Sequence, residues 1–197
     1  MENGVSSGQL AFDLGAPGRA PVIDILYFSL LPDREVARRA MTIAERDFAD
    51  QAVSGFLYMP DRLHLSVDKR WEGSGLPDLA VDDALRRGAR VDLPPVAIEL
   101  DRLESNGNGT DRPRVLTTHA ASPGFSALVR QVTGLNRPLM AVPHMTLYRA
   151  VRAAPAISLP DPITFTAREL VLIHARKGTG TWRILKRWPL AAPVHVD

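Results

Sequence analysis

The chain has 197 residues, enough for one well-buried domain or two small fused lobes, and its 45% apolar and 23% charged residues are typical of a globular protein. Its formal charge of +2 does not indicate uniform electrostatic attraction to nucleic acid, although a local basic groove is compatible with it. The absence of cysteine excludes disulfides, thiolate nucleophiles and cysteine-based zinc sites.

The two ends of the chain are expected to lie outside the folded part. Residues 1–20 contain Gly and Ser, lack the basic segment of a secretory signal, and predict a flexible leader. Residues 191–197 predict a short tail, which leaves one folded domain over 21–190. No stretch approaches about 20 apolar residues, so no membrane span is predicted. We expect a cytoplasmic monomer.

The first half of the domain predicts two strands and two helices. Residues 22–31 are β-branched and aromatic, which indicates a buried strand. Apolar residues at helical spacing predict a helix from about 33 to 50. The alternating pattern of 63–69 predicts a second strand, and a second helix is predicted over 79–88.

The second half predicts mainly strands, with one helix over 125–132. The predicted strands are 96–103, 115–118, 144–148, 164–175 and 182–190. A turn-rich segment over 105–110 joins the first two, and a Pro-rich connection is predicted over 153–162. Helices mixed with adjacent strands predict an α+β fold.

Two segments of the form His-x-Ser/Thr carry the residues best suited to chemistry. The first contains His64 and Ser66, and the second contains His144 and Thr146. Because residues i and i+2 of a strand share a face, each segment places an imidazole beside a hydroxyl, above buried aliphatic side chains. If the two strands are neighbours, all four side chains meet in one groove.

Paired imidazoles and hydroxyls are suited to phosphoester chemistry. One imidazole can remove a proton from water while the other protonates the leaving oxygen, since the unperturbed pKa of histidine is about 6.5. The hydroxyls can donate hydrogen bonds to non-bridging phosphate oxygens. One such segment alone is frequent by chance and is then structural. Two of them, each at the start of a strand and close after a proline, favour a functional pair.

In these motifs the chain resembles the 2H phosphoesterase superfamily, and most closely its RNA 2′,3′-cyclic phosphodiesterase, or 2′-5′ RNA ligase-like, branch. The opening strand 25–32, the Pro-His-x-Thr-Leu-x-Arg segment 143–149 and the closing strands 165–174 and 182–190 extend the resemblance to about 23–190. The resemblance implies two pseudo-symmetric lobes of antiparallel sheet backed by helices, with an active-site groove between them.

The resemblance also implies an activity, namely metal-independent hydrolysis of RNA 2′,3′-cyclic phosphate ends to 2′-phosphates without a cofactor. By analogy, His144 activates water and His64 protonates the O3′ leaving group, although the sequence itself does not fix which histidine has which role. Ser66 and Thr146 are the expected phosphate ligands. Arg149 is a further candidate ligand, although strict alternation places it on the face opposite His144.

The expected partner is an RNA or oligonucleotide end bearing a cyclic phosphate, or a small nucleotide. One alternative is a phosphodiesterase that acts on a small cyclic nucleotide or on a 2′-5′ oligonucleotide. The other is a non-catalytic RNA-binding relative, against which two intact motifs argue, because binding alone needs no paired imidazoles.

The chain departs from the family pattern at three places, which bear on substrate class more than on phosphoester chemistry. Ser66 replaces the commoner Thr, and residues 68–71 stand where relatives often continue with Phe-Leu-Gly. His174 and Trp182 occupy positions where the closing hairpin often carries a Ser and a Tyr.

Other residues are weaker candidates, each weighed against an ordinary core or surface role. Trp71 and Trp182 border loops and are candidates to stack on a base, whereas Phe28 is expected in the core. His119 is a candidate third imidazole and His174 a candidate groove residue. Four cations are candidates for a basic rim: Lys69, Arg70, Lys177 and Arg183. No phosphate-binding loop, dinucleotide fingerprint or His-Glu-x-x-His helix occurs. The two motif histidines lack a carboxylate cluster around them in the sequence, so no metal is implied.

Overall fold

The computed structural model describes residues 22–51, 54–107, 111–135, 141–177 and 179–191. The predicted leader, and all but the first residue of the predicted tail, lie outside this part of the chain. The helices are α1 (Arg34–Asp50), α2 (Asp78–Gly88) and α3 (Pro123–Thr133). The strands are β1 (Ile23–Leu30), β2 (Gly55–Leu57), β3 (Leu65–Gly73), β4 (Val96–Ser105), β5 (Arg112–Thr117), β6 (His144–Ala150), β7 (Ile157–Ala167), β8 (Glu169–Lys177) and β9 (Thr181–Pro189).

The nine described strands form one antiparallel sheet in the order β7-β4-β5-β6-β3-β1-β8-β9, with β2 paired to β6. The sheet has two four-strand halves, β3-β1-β8-β9 and β6-β5-β4-β7, which meet at its centre. The halves are joined by one residue pair, Leu65 with Met145, and both of these side chains are fully buried. The predicted α+β fold is therefore confirmed.

The three helices pack on one face of the sheet and cover its main hydrophobic core. α1 contacts β6 and β7, α2 contacts β3 and β8, and α3 contacts β3 and β4. This core includes Phe28 and Leu65, as alternation along β1 and β3 requires. On the opposite face of β1 and β8 a smaller cluster forms around Tyr27, Val171 and Ile173. In the part of the chain described, no helix is long and apolar enough to cross a membrane.

The predicted boundaries were wrong between 153 and 175. β7 begins at Ile157, within the predicted Pro-rich connection, and includes Pro160 and Pro162. Proline is tolerated there because β7 is an edge strand that pairs only with β4. The single strand predicted over 164–175 is two strands separated at Arg168, where no Gly or Pro marks the turn. The three-residue β2 was not predicted, because it is too short to show a period.

A buried charged network links α1 to the second half of the sheet. Arg114 donates to both carboxylate oxygens of Asp47, at 2.9 and 3.1 Å, and its side chain is 1% exposed. The hydroxyl of Tyr148 donates to the same carboxylate at 2.5 Å. Burial, followed by the neighbouring carboxylate, raises the pKa of Tyr148, so the phenol stays protonated and remains a donor. The network fixes β5 and β6 against α1.

Candidate active site

The two His-x-Ser/Thr motifs lie side by side at the centre of the sheet. Leu65 and Met145, the middle residues of the motifs, pair across the junction and point into the helix-covered core. Their sequence neighbours therefore point to the opposite face, which we call the groove face. The structure thus brings together all four predicted side chains: His64, Ser66, His144 and Thr146.

The antiparallel register sets the distances between these side chains. A register centred on Leu65 and Met145 places His64 across from Thr146, and Ser66 across from His144. Residues directly opposite in such a pair have Cβ atoms about 4.5–5.5 Å apart, and diagonal neighbours lie about 7–8 Å apart. By this register the two histidines are diagonal neighbours.

Both imidazoles turn the same nitrogen towards their own backbone. Nδ1 of His64 donates to the carbonyl oxygen of Arg62 at 2.7 Å. Nδ1 of His144 makes the equivalent contact with the carbonyl of Val142, at 3.5 Å. A carbonyl oxygen only accepts, so the shorter contact fixes the proton of a neutral His64 on Nδ1 and leaves a lone pair on Nε2. In each motif, Nδ1 of the histidine contacts the carbonyl of the residue two positions earlier in the chain. The two halves of the site are therefore pseudo-symmetric in this contact as well.

The environment of His64 lowers its pKa. Burial is the largest cause, and the nearby positive form of His144 adds to it, while the hydrogen bond to the carbonyl of Arg62 opposes both. His64 is therefore neutral near neutral pH in the free protein.

An aromatic wall stands beside His64. The rings of Tyr27 and Trp182 lie 5.2 and 6.5 Å from the imidazole, centroid to centroid. The indole nitrogen of Trp182 donates to the hydroxyl of Tyr27 at 2.8 Å, and the guanidinium of Arg62 lies 5.4 Å from the indole centroid. Burial raises the pKa of Tyr27 to about 12, so this phenol is protonated. The wall restricts the rotation of His64.

Arg149 lies on the groove face, and the placement expected from strict alternation was wrong. The β5–β6 register shifts by one residue, because Arg114 pairs with Tyr148 but Val115 pairs with Thr146. Leu147 and Tyr148 are both buried in the core, so Arg149 returns to the face of His144 and Thr146.

The guanidinium of Arg149 is held in place by two side chains. Its Nε donates to the hydroxyl of Tyr58 at 3.1 Å, and Nη1 donates to Asp111 at 2.8 Å. Tyr58, which immediately follows the unpredicted β2, was not identified from the sequence. Only one feature of the sequence indicated this role for Tyr58, namely an aromatic residue a few positions before the first motif.

Most of the weaker candidates have other roles. His174 faces the core, not the groove: its Nε2 lies 2.6 Å from the carboxylate of Asp24, and its Nδ1 accepts from Arg183. Arg70 bonds to Asp68 and to Asp83 of α2, so it is not part of a groove rim.

The remaining candidates are held by neighbouring side chains or the backbone. The indole of Trp71 donates to the carbonyl of Gly75. His119 is 64% exposed and contacts Glu104 at 3.0 Å. Among the residues that the structure describes, no three His, Asp, Glu or Cys side chains converge as a metal-ligand set.

Comparison with solved structures supports the interpretation of the fold. The chain is similar to E. coli LigT complexed with 3′-AMP, with a TM-score of 0.67 and 20% identity over 86% of this chain and 99% of that chain. For E. coli LigT in the apo form the TM-score is 0.62 and the identity 25%, over 86% and 98%. For a crystal structure of a phosphoesterase the values are 0.64 and 22%, over 85% and 98%. No family model and no curated protein matches the chain.

The fold and the paired motifs together resemble one class, the phosphoesterases with two histidine motifs on one sheet. Within it, the chain has the LigT-like fold of the 2H phosphoesterases, and the resemblance predicted from its motifs is confirmed. The similarity to these solved structures supports a phosphoesterase.

Proposed function

We propose that the protein hydrolyses RNA 2′,3′-cyclic phosphate ends to 2′-phosphates, with His64 and His144 as the acid–base pair and without a metal ion. The observation that carries the proposal is the Leu65–Met145 pair, whose register puts both imidazoles and both motif hydroxyls on one groove face. The similarity to a LigT structure that contains 3′-AMP supports a nucleotide ligand.

In the proposed reaction the cyclic phosphodiester lies between the two imidazoles. His144 takes a proton from water, and the water oxygen attacks phosphorus. The P–O3′ bond breaks, and O3′ takes a proton from His64, which leaves a 2′-phosphate and a 3′-hydroxyl. Hydrogen bonds from Ser66 and Thr146 to the non-bridging oxygens stabilise the charge that develops there.

His64 needs a proton for this role, although it is neutral in the free protein. The bound phosphodiester favours protonation of His64, because an anion close to an imidazole stabilises the protonated form and raises its pKa. Arg149 adds a guanidinium on the same face, and its hydrogen bonds to Tyr58 and to the carboxylate of Asp111 set its position before substrate binds.

The test is turnover of a short RNA that ends in a 2′,3′-cyclic phosphate, with EDTA present. We expect the product to carry its phosphate on the 2′ oxygen, with the same rate after chelation, because imidazoles supply both proton transfers. Linear 2′-5′ oligonucleotides and free 2′,3′-cyclic nucleotides are assayed beside it. Faster turnover of either one would replace the proposed substrate class, and loss of activity in EDTA with recovery on one divalent ion would refute the mechanism.

The pH dependence provides a second prediction. The lowered pKa of His64 means that the free protein takes up this proton only below the ordinary value of about 6.5. The active form carries one proton on the histidine pair, and the acidic limb of kcat/KM reports uptake of a second proton by the free protein. This limb is therefore expected below about pH 6.5. In kcat, which reports the complex, the limb should move to higher pH, because the bound anion raises the pKa. Both limbs belong to the histidine pair as a unit. Acidic limbs at the same pH in both profiles would contradict the prediction.

A further inference from the structure

Ser29 on β1 carries a buried hydroxyl without a partner beside the motif of the first half. Its side chain is 0% exposed, and its Oγ has no hydrogen-bond partner among the residues that the structure describes. Buried hydroxyls are normally paired, so an orphaned one calls for a functional or structural reason.

The register places this hydroxyl under the candidate active site. Ser29 pairs with Ser66 on β3 and with Val171 on β8. Val171 belongs to the cluster around Tyr27, whose ring contacts His64, so Ser29 points to the groove face. Residues directly opposite in an antiparallel pair have Cβ atoms about 4.5–5.5 Å apart, within reach of a bond between two serine hydroxyls.

Ser66 itself is exposed and has more rotational freedom than the threonine that its position resembles. A threonine has a restricted χ1, so its hydroxyl is held in one of few orientations, whereas the χ1 of a serine is freer. The motif of the second half has a threonine at this position, Thr146. The first half therefore combines a freer serine with an unpaired buried hydroxyl on the adjacent strand.

We propose that Ser29 is a positioning residue for Ser66, an inference that rests on the proposed function. With substrate bound, the Oγ–H of Ser29 donates to Oγ of Ser66, and the Oγ–H of Ser66 donates to a non-bridging phosphate oxygen. No bond of the substrate is made or broken by Ser29. The pair of serines performs the task that one threonine performs in the other half of the site.

The test is a cycle of variants built on Ser29→Ala, Ser66→Ala and Ser66→Thr. Ser29→Ala should lower kcat about five- to tenfold, the equivalent of one ordinary hydrogen bond, with KM nearly unchanged. Its thermal unfolding temperature should not fall, because the variant removes an unpaired buried group. Thr42→Ala, which removes a helix hydroxyl bonded to the carbonyl of Arg38, is the control and should keep the parental kcat.

The effect of Ser29→Ala in different Ser66 backgrounds distinguishes a positioning role of Ser29 from a general effect on the structure. In the Ser66→Ala background, Ser29→Ala should cause no further loss, and in the Ser66→Thr background its effect should shrink, because threonine orients its own hydroxyl. A parental kcat for Ser29→Ala, or an equal loss in all three backgrounds, would overturn the inference.

A further experiment tests the role of Ser29 if the proposed reaction does not occur. If the parent protein hydrolyses none of the phosphodiesters, the same variants are titrated with inorganic phosphate. Ser29→Ala should then weaken phosphate binding only when Ser66 is present. Equal phosphate affinity of the parent and Ser29→Ala would overturn the role of Ser29 independently of the reaction.

Discussion

Replacement of either His64 or His144 by alanine is expected to lower kcat on a 2′,3′-cyclic phosphate end by about 10²–10⁴-fold, the usual worth of a positioned acid or base. Both side chains lie on the groove face beside a motif hydroxyl, and each has its Nδ1 turned to a backbone carbonyl. Each variant therefore removes one of the two proton transfers and leaves the sheet junction intact. The measurement is steady-state turnover, with circular dichroism to establish that each variant is folded.

The double variant His64→Ala, His144→Ala should lose less than the product of the two single losses, because an acid and a base that act in one displacement form a unit. His119→Ala is the matched control. This histidine belongs to neither motif, is 64% exposed and contacts Glu104, so its removal should leave kcat near the parental value. Parental turnover by the folded double variant would eliminate the proposed mechanism.

The choice of leaving group distinguishes the acid from the base. A nucleotide ester with a nitrophenolate leaving group needs no proton donor, because that anion leaves unprotonated. His64→Ala should therefore lose much less activity on this ester than on the cyclic phosphate, whereas His144→Ala should lose as much on both. The opposite pattern would reverse the two roles and leave the pair itself in place.

The sequence predicted the elements that have a local period. The alternation around the two motifs and the helical spacing from 33 to 50 both correspond to observed elements, and Asp33 accepts from the backbone of Glu35 and Val36 as the N-cap of α1. These signals depend only on residues close in the chain, so they are readable before the fold is known.

The parts that could not be predicted depend on pairing between distant strands. The face of Arg149 is decided by a one-residue shift between β5 and β6, and alternation within β6 alone gives the wrong face. The role of His174 depends on Asp24, which lies on β1, 150 positions earlier in the chain. The unpaired hydroxyl of Ser29 becomes visible only when β1 is set against β3.

The largest effect on stability is expected from the network of Asp47, Arg114 and Tyr148. Arg114→Leu leaves the carboxylate of Asp47 buried without its cation, which should lower the free energy of unfolding by about 3–5 kcal/mol. The surface pair Arg187–Glu169 is the matched control, since both of its side chains are about half exposed and Arg187→Ala should cost about 0–1 kcal/mol.

Urea unfolding of these variants, followed by circular dichroism, tests this stability prediction. Tyr148→Phe provides a milder change, about 1 kcal/mol, if Arg114→Leu does not fold. The double variant Asp47→Leu, Arg114→Leu should recover part of the loss, because no unpaired charge then remains in the core. The network fixes β6, which carries His144, so Arg114→Leu should lower turnover as well as stability. An unfolding midpoint for Arg114→Leu equal to that of Arg187→Ala would show that the network does not hold α1 to the second half of the sheet.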